Sequence, residues 1–389
     1  MRLLVSVVAL GIAAAVCVNA LGPAAVQDGR ATPAAPALPM PKPAPTYGGK
    51  LLTPAGLKVS AFSKLPGARF MALGSDGSVY VSQTGAGKVT RLIDANGDGV
   101  ADRSELIAEN LHLPHGLAIH GGWLYIANTD EVVRMKLDSR GVPTGTPEAT
   151  AARYDAAGGH FTRSIAFAPT GAMFVSVGST CNICVEKDST RASVMRFDAD
   201  GSHGRVFARG LRNAVGLAFH PTTGALWVSQ HERDNLLPNH EDLPPEEINI
   251  LKEGGDYGWP YCFGDRVPNP EFNDAARCAK TIAPSLAMQA HSAPLGLTFL
   301  DKATQLPADY RSDALVAFHG SWNRNVPTGA KVVRIRIRNG VPVSYEDFIT
   351  GFQGADGRRF GRPVDILVLK DGSLLLSDDD AGMVYRVHK

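Results

Sequence analysis

At 389 residues the chain is long enough for two or three average domains or for one large all-β domain with a sizeable core. Lys and Arg number 39 against 38 Asp and Glu, so the formal net charge of +1 excludes the global field of a nucleic-acid or acidic-membrane binder. The 41 glycines, set against 7% aromatic residues, suit an all-β protein with many tight turns, because glycine accepts positive φ.

The N-terminus reads as an export signal over residues 1–20. Arg2 supplies a short positive region, and the apolar run from Leu3 to Val16 is too short to span a bilayer comfortably. Val18-Asn19-Ala20 places small residues where a signal peptidase reads, so cleavage is expected after Ala20. A lipid anchor on Cys17 is the lesser alternative, because Val16 before it is larger than such a signal takes. Residues 21–47 are rich in Pro and Ala with little large apolar surface to bury, and read as a tether. No later stretch is apolar enough to suggest a membrane span. These features place the protein in the periplasm or outside the cell.

Residues 48–389 read as one repeating unit. The segments at Met71–Ser82, Leu117–Ala127, Ile165–Ser176, Leu217–Ser229 and Ile366–Ser377 align as an apolar strand, a Gly-containing turn and a second apolar strand. A divergent copy begins at Leu297 and resumes at Asp313. Third strands follow, usually with Arg near the end (Arg91, Arg134, Arg196, Arg334, Arg386), and fourth strands such as 104–108 and 205–208 lead to the next copy. Six four-stranded units predict a six-bladed β-propeller. The last copy has three strands before Lys389, and an orphan strand at Leu57–Phe62 precedes the first; pairing the two closes the ring and removes two open edges.

In such a ring the turns entering the first strands converge on one end of the channel. They carry Arg69, His115, Arg163, Arg212 with Asn213, His291 with Ser292, and Arg362. Cations gathered in a closed mouth repel one another unless an anion joins them, held by forked guanidinium contacts. A second constellation, Asp94, Asn96, Asp98 and Asp102, spaces oxygen ligands around Gly97 and Gly99 as a structural Ca²⁺ loop does, or as an Asx-rich turn does. A long polar excursion runs from Gln230 to Glu247. If Cys17 leaves with the signal, four cysteines remain, and an even count after export points to two disulfides. Of three pairings the most local joins Cys181 to Cys184 and Cys262 to Cys278.

Several of these segments together resemble a known family. His160-Phe-Thr-Arg163, Cys181-Asn-Ile-Cys184, Gly210-Leu-Arg-Asn213, Glu247-Ile-Asn249, Gly255-Asp-Tyr-Gly-Trp-Pro260 and Phe318-His-Gly-Ser-Trp-Asn-Arg324 resemble the soluble pyrroloquinoline quinone (PQQ) dependent sugar dehydrogenases, sorbosone dehydrogenase type. The resemblance covers nearly all of 57–389. It implies a six-bladed propeller with PQQ over the channel mouth, Ca²⁺ at the quinone, and a histidine that takes a sugar hydroxyl proton while hydride leaves for the quinone. By motif, His115 would be the base, Arg212 and Asn213 would lie beside the cofactor, and Arg362 would face its carboxylates. Backbone carbonyls of Glu232 and Arg233 would ligate the cofactor Ca²⁺, although the glucose-oxidising branch has Gly-Pro there. That branch also has a cofactor lysine in the loop that here reads Ser321–Asn325, for which Arg324 or Lys331 would substitute.

The residues themselves agree in part: a cationic ring suits a planar tricarboxylate, and an imidazole suits proton abstraction. Cys184 is followed by Val185, so there is no C-x-x-C-H haem motif, and electrons are expected to pass to a separate acceptor. The small-molecule partner is then a sugar or sugar aldehyde. Two other readings fit a propeller. A Ca²⁺-dependent lactonase or hydrolase needs acidic ligands at the axis, where Asp130, Asp365 and Asp378 are the candidates. A non-catalytic binding propeller needs no proton acceptor there.

Overall fold

A computed structural model describes residues 51–389; the expected signal peptide and the expected tether both lie outside the described residues. Short apolar strands broken by positive-φ glycines, Gly77, Gly171, Gly224 and Gly372 among them, fold into six antiparallel blades. Blade 1 comprises Ala68–Leu73, Val79–Gln83, Lys88–Ile93 and Arg103–Ala108. Blade 2 comprises Leu117–His120, Trp123–Ala127, Glu131–Leu137 and Pro143–Arg153. Blade 3 comprises Ile165–Phe167, Met173–Val177, Ser193–Phe197 and Arg205–Arg209. Blade 4 comprises Asn213–Phe219, Leu226–His231, Glu246–Ile250 and Leu286–Met288. Blade 5 comprises Pro294–Phe299, Ala314–Phe318, Lys331–Arg338 and Val341–Ile349. Blade 6 comprises Pro363–Val368, Leu374–Asp378 and Met383–His388, completed by Lys58–Lys64.

That last pairing closes the ring as the sequence predicts. Lys58–Lys64 runs antiparallel to Met383–His388, with Val59 opposite Val387 and Ser60 opposite Arg386. Side chains alternate across a strand. Val59 therefore packs into the apolar layer between blades 5 and 6, and Phe62 into the layer between blades 6 and 1. The four remaining blade-to-blade seams each have an apolar layer of their own. The channel is not a pore: Phe70, Val215, Leu295 and Val364, from four different first strands, pack together along the axis.

Polar contacts set the blades in register at the level of the plug. The serine that ends the second strand of several repeats is buried and joins one blade to the next. Ser82 Oγ accepts from the Phe70 amide at 3.1 Å and donates to the His115 carbonyl at 2.7 Å. Ser229 accepts from Gly216 at 2.9 Å and donates to Leu295 at 2.6 Å. Ser377 accepts from Asp365 at 3.0 Å and donates to Arg69 at 2.6 Å, across the closing seam.

Blade 4 carries the largest insertion. Between Ile250 and Leu286 the chain forms the hairpin Cys262–Phe263/Val267–Pro268 and the short helix Ala275–Cys278, joined by the Cys262–Cys278 disulfide. Gly255–Asp256 pairs in parallel with the outer strand of blade 3, so the insertion bridges two blades. The second disulfide, Cys181–Cys184, lies in the loop after Met173–Val177. Both are the local pairing.

The serine bridges make a stability prediction. Replacing Ser82, Ser229 or Ser377 by Ala strands a buried N–H and a buried carbonyl, which costs about 1–3 kcal/mol. Denaturant unfolding of each variant should show a lower midpoint with an unchanged slope; an unaltered midpoint would mean the bridges are incidental.

Candidate active site

Segments that enter the first strands of blades 1, 2, 3 and 6 meet at one end of the ring. A cavity of about 390 Å³ opens there, lined by Arg69, Arg362, Asp379, Asp380, Leu113 and Phe161 among others. Its cations are not left to repel one another. Asp379 bridges Arg69 Nη1 at 2.6 Å and His319 Nε2 at 2.9 Å. Arg362 donates to the carbonyls of His319 and Gly320, each at 3.1 Å. The Nε of Arg69 is buried without a partner.

His115 sits directly below, with no exposed surface. It is held by the Leu113-Pro-His-Gly116 turn, and Gly116 is required sterically: a Cβ there would lie 2.7 Å from the Ile165 amide nitrogen and 2.8 Å from the Arg163 carbonyl of the next blade. The imidazole packs against Phe70, with ring centroids 4.2 Å apart. Arg69 Nη2 lies 3.2 Å from His115 Nε2. A guanidinium only donates, so Nε2 must carry the lone pair and Nδ1 the proton. Nδ1 then faces Ser164 Oγ at 3.4 Å and the Arg163 carbonyl. Burial, reinforced by the Arg69 charge, holds His115 well below the usual histidine range. The result is a neutral imidazole that offers a lone pair on the Arg69 side.

A second cluster is built on blade 4. Arg212, also buried, donates to the carbonyls of Asn182 at 3.0 Å and Glu232 at 2.7 Å, and lies 3.4 Å from Asp234. Asp234 also faces His291 at 3.5 Å and accepts from Asn323 at 2.8 Å. Asn213 lies 3.5 Å from His231 Nδ1 and accepts from Thr162 at 3.4 Å. Burial pushes His231 and His160 down to about 3, so this side holds neutral imidazoles as well.

Other residues singled out in the sequence lie elsewhere or are already engaged. Arg163 is fully buried, and its guanidinium donates to the carbonyls of Asp155, His160 and Thr162 rather than to the cavity. Lys331 is paired with Asp347 at 2.6 Å, and Arg324 binds the 241–242 loop. The Arg233 side chain turns to Asn269 and Glu271. Asp94, Asp98 and Asp102 accept from backbone amides of their own loop: Gly97 and Gly99 for Asp94, Val100 for Asp98, Ala95 and Asn96 for Asp102. The acidic axis candidates also serve the fold. Asp365 accepts from the Met71 amide, Asp378 from those of Arg362 and Ala381, and Asp130 pairs with His112. Burial raises Asp365 to about 7 and Asp378 to about 6.

Sequence reasoning missed Asp379, His319, Asp234 and Asn182. His319 and Asn182 lay inside quoted motifs, so their segments were flagged but not their roles. Asp379 belongs to the acidic run 378–380, in which nothing marks the member that pairs with Arg69, and Asp234 lay inside the singled-out 230–247 excursion without a role.

With this geometry in hand, the chain was compared with known proteins. The TrAA12-like family model matches residues 53–389. The protein of Coprinopsis cinerea named pyrroloquinoline quinone-dependent pyranose dehydrogenase is 26% identical over 388 residues, covering 82% of this chain and 52% of that protein. The chain thus spans about half the length of that relative. The structure described as the holo form of the pyranose dehydrogenase PQQ domain from Coprinopsis cinerea superposes with a TM-score of 0.74 at 24% identity, covering 89% of this chain and 98% of that one. The calcium structure of the Trichoderma reesei carbohydrate-active enzyme of family AA12 gives 0.76 at 23% identity, covering 87% and 97%. Both share the propeller.

The Arg69–His115 contact makes a prediction that needs no ligand. In Arg69→Met the cationic neighbour is gone, so the His115 pKa should rise toward the ordinary value while remaining below it through burial. Imidazole NMR titration of the cofactor-free protein reads this directly. A titration point unmoved by the substitution would show that the two side chains are not electrostatically coupled.

Proposed function

The chain belongs to the TrAA12-like family, and on that premise we propose that it is a PQQ-dependent oxidoreductase acting on a sugar or sugar aldehyde, with His115 as general base. The observation that carries this reading is a neutral, lone-pair-bearing imidazole held against an arginine that lines the cavity.

The residues present fit the cofactor. Its three carboxylates need forked donors, and Arg69 and Arg362 line a cavity of about 390 Å³, a volume ordinary for a small-molecule site. The unpartnered Nε of Arg69 is one donor still to be satisfied. Arg212 and Asn213 would lie beside the cofactor. The Glu232 carbonyl already accepts from Arg212, but its second lone pair is free for a Ca²⁺ ion shared with the Arg233 carbonyl. Arg324 is paired with Glu241 and Lys331 with Asp347, so either would have to leave its partner to stand in for a cofactor lysine.

When bound, PQQ with its Ca²⁺ supplies the hydride acceptor. The chain does the rest. Once the Arg69 Nη2 contact is given up and the buried ring is opened to the cavity, His115 Nε2 would take the hydroxyl proton, while Nδ1–H, facing Ser164 and the Arg163 carbonyl, keeps the ring in that tautomer. Asp379 offsets the Arg69 charge that the protonated imidazole would meet. The apolar plug below the site blocks water from the channel side. Two disulfides fit an oxidising compartment, and a periplasmic or secreted enzyme would hand its electrons to a separate acceptor. The hydrolase reading lacks support: the expected acidic axis residues are engaged in holding backbone amides or a histidine.

The test is a spectroscopic titration of the metal-stripped protein with PQQ, with and without Ca²⁺. Saturation near one equivalent that requires Ca²⁺ is expected. Arg362→Ala should weaken it roughly tenfold or more, the loss of one charge-assisted contact of about 1.5–3 kcal/mol. His115→Ala should bind but not turn over sugar. A folded protein that binds no PQQ would end this proposal.

A further inference from the structure

We infer that Asn182 is a positioning residue that clips Arg212 and the 232–234 segment together at the edge of the candidate site. Its consequence for cofactor binding rests on the function proposed above; the clip itself does not.

Asn182 lies inside the four-residue loop closed by the Cys181–Cys184 disulfide. Its main-chain carbonyl accepts from Arg212 Nε at 3.0 Å and from Trp259 Nε1 at 3.2 Å. Its side-chain Oδ1 accepts from Arg212 Nη2 at 3.0 Å and from the Asp234 amide at 2.8 Å. Its Nδ2 donates to the Asp234 carbonyl at 2.9 Å. The amide orientation is forced, because a guanidinium and a backbone N–H can only donate. Asp234 thus has both main-chain groups on one side chain, as in one rung of a sheet.

The consequences spread from there. Arg212 is stitched between Asn182 and the Glu232 carbonyl, so its planar fork has little freedom left. The same segment offers the Glu232 and Arg233 carbonyls, and the Asp234 carboxylate reaches His291 and Asn323 of blade 5. One residue of blade 3 therefore sets the position of groups on blades 4 and 5. Only Asn meets the demand. Asp would place a carboxylate oxygen against the Asp234 carbonyl, Gln adds a methylene, and Ala removes three hydrogen bonds at once. The disulfide keeps the loop from peeling away.

The experiment uses the full chain and three variants: Asn182→Ala, Asn182→Asp and the double variant Cys181→Ser/Cys184→Ser. Hydrogen exchange in the cofactor-free protein should show faster exchange confined to the Asp234 amide and its neighbours in Asn182→Ala, a smaller acceleration in Asn182→Asp, whose carboxylate still accepts from that amide but repels the Asp234 carbonyl, and an intermediate effect in the double variant. Titration with PQQ and Ca²⁺ should show binding weakened tenfold or more in Asn182→Ala. If wild type binds PQQ and Asn182→Ala binds as tightly, the inference fails while the proposed function stands. If wild type binds no PQQ, the proposed function fails and exchange alone decides: local acceleration at Asp234 supports the clip, and unchanged exchange overturns it. Acceleration throughout the ring with a large loss of thermal stability would show a general structural role instead and would overturn the inference.

Discussion

The site depends on keeping guanidinium groups out of water without letting them drive one another apart. Arg69 and Arg212 are largely buried, and neither is left beside cations alone. The arrangement on the two sides is alike. Asp379 stands between Arg69 and His319, and Asp234 between Arg212 and His291. Burial works against both carboxylates, but the neighbouring charges and hydrogen bonds win, and both stay ionised below the usual carboxylate range. Two anions thus make the gathering of buried guanidinium groups possible, and the cavity is lined by Arg69 and Arg362 together with Asp379 and Asp380.

Burial and charge together decide the state of His115. Complete burial holds His115 well below the usual histidine range, and the neighbouring Arg69 charge acts in the same direction. The rigid Gly116 turn and the Ser82 bridge to the His115 carbonyl then hold the neutral ring in place. Fold and site meet here: the serine that joins blades 1 and 2 also fixes the backbone of His115.

Much of this was legible in the sequence, for a physical reason. A repeat imposes the same strand–turn–strand pattern at each copy, so Met71–Ser82 and Ile366–Ser377 reveal one blade each and together the ring. Closure followed from counting strands, and Lys58–Lys64 pairs where that count required. The positions that converge on the axis followed from the repeat as well, which is why Arg69, His115, Arg212 and Arg362 were found. Side-chain direction did not follow. Arg163 occupies the equivalent position but turns inward to three backbone carbonyls, because the 155–162 segment folds over it. Nor did partners from loops outside the repeat: Asp234 and Asn182 come from excursions whose course no periodicity records.

Those excursions explain how one propeller becomes a specific site. The blades supply identical slots, and identical slots would deliver identical chemistry. What breaks the symmetry is the set of loops that leave the ring: the disulfide loop of blade 3, the 232–245 segment and insertion of blade 4, and the 319–330 loop of blade 5. They are tied to one another through Asn182, Asp234 and Asn323, and to the blades beneath them through contacts such as the Glu232 amide to Glu246 and the Gly264 amide to Glu247. The rigid ring thus fixes His115, and a second layer, cross-linked through its own polar contacts, fixes the Arg212 cluster. Changes in that layer can retune recognition while the strand register below stays the same, because that register is set by the blades' own backbone pairing and serine bridges.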